Sequence, residues 1–168
     1  MKVLVTGGAG YIGSHVVKQL GAAGHDIVVY DNLSTGYEWA VTSGELVIGD
    51  VGDFEKLDSV FTKHNFEAVL HFAANIVVPE SVENPLKYYR NNTRNTLNLL
   101  GVIGNHKTPN MVFSSTAAVY GMPDVLPVDE SAPFKKAESP YGETKQLCEK
   151  MLKEDSCNSV ALRYFNPI

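Results

Sequence analysis

Long apolar runs are missing from this sequence. No stretch approaches the ~20 residues that a membrane-spanning helix needs, and strand-like residues begin at once with Lys2. Neither a transmembrane segment nor a signal peptide is expected, and the chain reads as cytoplasmic, with no membrane partner. Cysteine is scarce too. Cys148 and Cys157 show no CxxC or ligand spacing, so free thiols in a reducing compartment are expected, and no metal. Positive charge is the minority sign: 14 Lys and Arg face 19 Asp and Glu, a formal net charge of −5. That balance argues against nucleic acid as a partner. With 44% hydrophobic and 20% charged residues, the 168-residue chain suits one globular domain over residues 1–168 with a real core.

Glycine is not scarce, and its placement organises everything else. Lys2-Val3-Leu4-Val5-Thr6 is a β-branched apolar run, followed by Gly7-Gly8-Ala9-Gly10-Tyr11-Ile12-Gly13 and then by helical spacing of Ile12, Val16 and Leu20. The glycines fit GxGxxG at 8, 10 and 13 and GxxGxxG at 7, 10 and 13. A strand that enters a glycine turn and leaves as a helix aims unpaired N–H groups and a positive dipole end at one point, which favours a pyrophosphate. Glycine is required there because the backbone turns sharply and approaches the ligand closely.

A second strand, Ile27–Tyr30, ends at Asp31, 18 residues beyond Gly13. A carboxylate there can accept from both hydroxyls of an adenosine ribose and would repel a 2′-phosphate, so NAD is preferred over NADP. Leu33 to Gly44 reads as a loop with a short helix. Glu45–Ile48 is a third strand, stopped by Gly49-Asp50, and Asp53 opens a helix with Phe54, Leu57 and Phe61 on one face. Asp50-Val51 falls where a third strand passes an adenine ring; a helix-capping Asp50 is the competing reading. Ala68–Ala74 is a fourth strand ending in the small residues Ala73 and Ala74. His71 within it is expected to be packed rather than catalytic, with no partner nearby. Pro79 to Asn84 is read as loop and Leu86–Ile103 as one long helix, whose Asn91, Asn92, Asn95 and Asn98 are expected to be solvated in three cases and turned inward in one. Asn110–Phe113 is a fifth strand running into Ser114-Ser115-Thr116. Four prolines mark Met122–Pro140 as an irregular loop, Ser139-Pro140 starts a helix, and Val160–Tyr164 is a sixth strand. The alternation predicts an α/β fold: a doubly wound parallel sheet, Rossmann-like, with strand order 3-2-1-4-5-6.

Tyr141 and Lys145 are four apart and share a helix face. A phenol titrates near 10, and an ammonium beside it lowers that value toward a usable base. Thr116, at a strand end 25 residues upstream, offers a hydroxyl to orient a substrate oxygen. A nicotinamide domain that binds without turnover is the competing reading of the same features.

Together these features resemble the extended short-chain dehydrogenase/reductases, and within them the branch that inverts C4 of nucleotide sugars. The resemblance rests on Val5–His15, Asp31-Asn32-Leu33, Gly49-Asp50, His71-Phe72-Ala73-Ala74, Tyr88-Tyr89, Asn91-Asn92, Phe113–Gly121, Ser139-Pro140-Tyr141-Gly142 and Arg163–Pro167. It implies an NAD-dependent epimerase of UDP-sugars such as UDP-glucose and UDP-galactose, working through a transient 4-keto sugar. By matching position, Tyr141 is the base, Lys145 its partner on the nicotinamide ribose and Thr116 the orienting hydroxyl. Gly7, Gly10, Tyr11, Ile12, Gly13, Asp31, Asn32, Asp50, Val51, Phe72, Ala73, Ala74, Asn91, Ser114, Tyr164 and Phe165 fall against the cofactor, and Asn166 faces the sugar nucleotide. Ala117 and Ala118 stand where the related dehydratases carry acidic residues, which favours the epimerases over a dehydratase or decarboxylase. Ile76, Pro79 and Asn95 depart from the family pattern. Family members continue past Pro167 into a substrate lobe, so the lobe is expected to be absent here, and a homodimer is left open.

Overall fold

The computed structural model describes residues 1–167. Six strands form one parallel sheet in the order β3-β2-β1-β4-β5-β6, built from β1 (Lys2–Thr6), β2 (Asp26–Asp31), β3 (Glu45–Ile48), β4 (Ala68–His71), β5 (Asn110–Thr116) and β6 (Asn158–Tyr164). Every pairing is parallel, with Val3 opposite Ile27 and Ala68, and Thr116 opposite Tyr164. The order reverses between β1 and β4, which opens a crevice at their carboxyl ends.

Alternation along each strand splits the core in two. Leu4, Val28 and Val69 face a cluster with Leu57, Phe61, Leu99, Ile103 and Leu152. These come from helices α2 (Phe54–Lys63), α5 (Asn95–His106) and α6 (Pro140–Glu154). Val3, Val5 and Val29 face Val17 of α1 (Tyr11–Ala22). Each fully buried aliphatic side chain contributes about 1.5–3 kcal/mol. Local signals set the helix starts: Asp53 accepts from Lys56 N, and Ser139 accepts from Gly142 N with Pro140 at the first position.

Four local readings change. The buried stripe of α1 is Gly13 and Val17 rather than Ile12 and Val16, because the helix closes onto Gly7 and Gly8 of the turn at Gly13. On α2, Leu57 and Phe61 are buried but Phe54 is 41% exposed. Strand β4 ends at His71, and Phe72–Ala74 leave the ladder after one further bond, Phe72 N to Thr6 O at 2.8 Å. Val78–Glu83 forms a helix (α3) rather than a loop; its proline lies in the first turn, and the Tyr88 hydroxyl ties down the Val77 carbonyl at 2.7 Å.

The long helix is interrupted. It starts as α4 (Pro85–Tyr88), widens into a π turn over Tyr89–Arg94 and continues as α5. No helix among the described residues is long and apolar enough to cross a membrane.

Candidate active site

A cleft of about 570 Å³ runs along the carboxyl ends of β1, β2, β4 and β5. Its floor is the glycine turn. A Cβ on Gly13 would overlap the Gly7 carbonyl and come within 2.8 Å of Gly8 Cα, and one on Gly7, whose φ is +72°, would meet the Phe72 carbonyl carbon at 2.7 Å. Only glycine lets strand, turn and helix close this tightly. Helix α1 has Gly10 as N-cap with no side-chain cap and no acidic residue in its first turn, so its N–H groups stay available on the cleft side.

Asp31 closes one wall. Its Oδ2 accepts from Ala9 N and its Oδ1 from Leu33 N, both at 2.9 Å, so it clamps the end of β2 to the glycine turn while its remaining lone pairs face the cleft. Asp50 is not a helix cap; Asp53 holds that role. Asp50 Oδ2 accepts from Asn32 Nδ2 at 2.7 Å, and Oδ1 accepts from Gly52 N at 2.7 Å and Asn95 Nδ2 at 3.2 Å. Asn98 donates to Gly52 O at 3.2 Å. The helix asparagines therefore fasten the loop after β3 instead of facing solvent. Asn92 is the inward one, and it holds the chain itself, taking Asn75 N at 2.9 Å and giving to Asn75 O at 3.0 Å.

Gly7, Gly10, Tyr11, Ile12, Gly13, Asp31, Asn32, Asp50, Val51, Phe72, Ala73, Ala74, Asn91 and Ser114 all line this one cleft. Ser34, Thr35 and Gly36, Asn75, Val77 and the Glu80–Lys87 ion pair also line it and escaped the sequence reading, whereas Ile76, singled out there as a departure from the family pattern, lines it too. Only the loop composition around Thr35-Gly36 hinted at any of them.

Lys145, Tyr141 and Thr116 do not themselves line this cleft; they meet its wall at Ser114. Lys145 is buried; its Nζ donates to Ser114 O at 2.7 Å and lies 4.7 Å from the Phe113 ring centroid. Burial lowers its pKa to about 8, against an opposing pull from Cys148 and Glu149. Tyr141 is 9% exposed. Burial raises its phenol above the ordinary value and a hydrogen bond to Thr116 works against that. The net direction in the free protein is therefore upward, opposite to the lowering expected from the Lys145 ammonium. Thr116 also caps the turn Ala117–Tyr120 by accepting from Ala118 N at 3.2 Å.

The last predicted residues separate. Tyr164 is half-buried beside Thr116 across the β5–β6 ladder. Phe165, 66% exposed, lines a different depression together with Arg163 and Glu149, because the chain turns away after β6. Asn166 is exposed with no side-chain partner among the described residues, while Pro167 returns to the cleft. His71 is packed, as expected, but it has two partners, Thr6 and Thr96.

Comparison with known proteins completes the description. Residues 3–168 match the NAD dependent epimerase/dehydratase family. The UDP-glucose 4-epimerase of Azospirillum brasilense is 51% identical over 98% of this chain and 49% of its own length. The crystal structure of UDP-glucose 4-epimerase from Brucella ovis in complex with NAD superposes with a TM-score of 0.95 at 47% identity, covering 98% of this chain and 52% of that one. The Bifidobacterium longum UDP-glucose 4-epimerase in complex with NAD+ and UDP gives 0.95 at 37% identity, over 100% and 54%. The chain spans about half the length of the relatives it matches.

Proposed function

The chain belongs to the NAD dependent epimerase/dehydratase family, and on that premise we propose that it is the cofactor-binding part of a UDP-sugar 4-epimerase interconverting UDP-glucose and UDP-galactose. The observation that carries the reading is one continuous arrangement: a glycine-floored cleft sized for a dinucleotide, with Ser114 joining its wall to the buried Lys145. The fit to NAD rests on the tight turn that only glycine at positions 7 and 13 allows, on the uncapped start of α1 above it, and on an Asp31 already fixed by two backbone bonds. When bound, NAD supplies the acceptor, and later the donor, of the hydride at C4 of the sugar.

The residues of the chain divide the remaining work. The N–H groups at Tyr11–Gly13 hold the pyrophosphate, the Gly10 N–H being spent on the Gly7 carbonyl, and Asp31 holds the adenosine ribose. Asp50 and Val51 flank the adenine, with Asn32 fixing the Asp50 carboxylate. Asn91, Phe72 to Ala74, Ser114 and Tyr164 shape the nicotinamide end. Lys145 keeps N–H bonds to spare for the ribose after donating to Ser114 O. Thr116 holds the sugar hydroxyl in line and Tyr141 takes its proton, returning it when the 4-keto sugar has turned its other face. Burial raises the phenol in the free protein; a positive charge arriving beside it lowers that value and readies the base. Asn166 is assigned to the sugar nucleotide by position.

The test is a coupled assay of UDP-galactose conversion with Tyr141→Phe. A loss of about 10²–10⁴-fold in kcat is expected, with NAD affinity retained; full activity would remove Tyr141 from the chemistry. The relatives are about twice as long, and remote binding energy lowers chemical barriers as well as improving affinity. These 168 residues alone are therefore expected to bind NAD but to turn over UDP-sugars poorly. Exposed Leu86 and Leu97 on α4 and α5 support self-association as a homodimer, which sedimentation would test.

A further inference from the structure

His71 is fully enclosed, yet both of its ring nitrogens are bonded. Nδ1 lies 2.6 Å from Thr6 Oγ1 and Nε2 lies 3.1 Å from Thr96 Oγ1. The protons can be assigned from the ends of this chain inward. Thr96 Oγ1 is 2.6 Å from the Asn92 carbonyl. A carbonyl only accepts, so the single Thr96 hydroxyl proton is committed there. Toward His71 the same oxygen accepts, and Nε2 carries the proton. Nδ1 is left bare and accepts from Thr6. Asn92 continues the series through its side chain. Its Nδ2 donates to Thr144 Oγ1 at 3.3 Å, and Thr144 in turn donates to the Tyr141 carbonyl at 2.7 Å. The amide cannot be flipped, because Asn75 offers it both an N–H and a C=O.

We propose that His71 is a positioning residue, fixed as the neutral Nε2–H tautomer, and the central link of a one-directional buried hydrogen-bond chain. The chain runs Thr6, His71, Thr96, Asn92, Thr144 and ends on the backbone of Tyr141. It ties the strand that enters the glycine turn to the first turn of the helix bearing the base. Through Asn75 it also fixes the loop that forms the cleft wall. The kinetic part of this inference rests on the function proposed above. Neutrality of the ring agrees with its surroundings: Phe113 packs on it at 5.8 Å between ring centroids, and burial together with the Lys145 ammonium holds its pKa at about 3. Each member has its proton needs met, so the network has one pattern and little freedom to shift.

Histidine-selective ¹⁵N labelling of the intact protein tests the assignment directly. The expected spectrum shows His71 with a protonated Nε2 and a bare Nδ1, unchanged from about pH 5.5 to 8.5. A protonated Nδ1, or titration in that range, would overturn the chain. Continuity is tested with Thr6→Val, which should shift the amide signals of Asn92 and Thr144, while Thr108→Val, at a buried threonine outside the chain, should leave them in place. Asn92 and Thr144 signals that ignore Thr6→Val would also refute the proposal. In the epimerisation assay, Thr96→Val keeps the shape and removes the hydroxyl. It should lower kcat about tenfold with sugar-nucleotide KM little changed, since small misplacements of a base cost rate more than binding, and Thr96→Ser should restore kcat. Equal kcat in Thr96→Val and the parent, or a Thr96→Ser variant as slow as Thr96→Val, would end the positioning role. The kinetic arm is run in a protein of the relatives' length that carries these residues; if that protein turns over no UDP-sugar, the function proposed above fails, while the spectra still decide the chain.

Discussion

The two wings of the sheet solve different problems. In the wing formed by β1 to β4, the interior is mainly apolar, from Val3 and Val5 to Leu57 and Phe61, and its buried Thr6 and His71 are bonded to each other. Its ligand-facing groups are largely main chain, set by where a Cβ cannot fit. In the wing formed by β5 and β6, α6 covers one face and brings charge into the interior. Lys145 and Glu149 are buried, and Arg163 reaches Glu149 with two nitrogens, Nε at 3.0 Å and NH2 at 2.7 Å. Val160 and Leu162 remain exposed on β6. Shape alone can hold a dinucleotide, whereas moving a proton needs groups whose charge is set by burial and by neighbours. The first wing contributes position and the second contributes chemistry.

The sharpest way to break this contrast is to remove a charge from the second wing. Glu149→Ala removes the carboxylate that pairs with Arg163 and accepts from Ser115, leaving the Arg163 charge only Tyr120 and the Glu130 carbonyl. It should cost about 3–5 kcal/mol, read from denaturant midpoints. Glu149→Leu combined with Arg163→Leu should cost less than Glu149→Ala alone, since no orphaned charge remains; a larger loss would show that the pair stabilises rather than merely being tolerated. In the first wing the corresponding injury is steric. Gly13→Ala forces a methyl into the Gly7 carbonyl. A loss of about 1–3 kcal/mol is expected, along with NAD affinity weakened more than tenfold by calorimetry.

Asp31→Ala removes a polar clamp within the first wing and leaves Ala9 N and Leu33 N unpaired. It should weaken NAD and narrow the gap to NADP, at a stability cost of about 1–3 kcal/mol. Unchanged selectivity would take Asp31 off the ribose. Lys145 gives a pH signature confined to the second wing. Its folded pKa of about 8 lies below the ordinary value of 10.5, so between these values the unfolded chain binds more protons. Stability should therefore rise with pH from about 8 to 10.5, with no further contribution from Lys145 below 8, where both states carry the proton. The Lys145→Met variant should lack that slope when the two are melted side by side. Least of all should change on breaking an exposed pair: Lys63→Ala, which frees Glu45, should leave Tm within error.

What could be read from the sequence follows the same division. Strands β1 to β3 and the glycine turn were legible because their signals are local: β-branched runs, forced glycines, and an acidic residue at a fixed distance. The readings that failed depend on distant partners. His71 finds threonines 65 residues behind it and 25 ahead. Asn95 and Asn98 look like solvated helix residues until the loop at Asp50–Gly52 is seen beneath them. Pro79 reads as a breaker, yet it opens a helix that Tyr88 secures from outside. The separation of Phe165 from the cleft depends on the direction the chain takes after β6, which no spacing records.

The π turn at Tyr89–Arg94 gives the chain a sensitivity of another kind, to length rather than to composition. A π turn holds one residue more than the α-helix would. Deleting any one of these six residues would allow Pro85–His106 to wind as a single regular helix, each remaining residue still making a backbone bond. The two ends would keep their relative phase, because the wide turn absorbs the ~100° that one extra residue adds to a regular helix. A further residue inserted here would instead turn the ends out of phase by about that angle, and Tyr88 would swing away from Val77 and Glu80, to which its hydroxyl is now bonded at 2.7 Å each. This segment should accept many single replacements at Arg90 or Arg94, and the loss of one residue better than the gain of one.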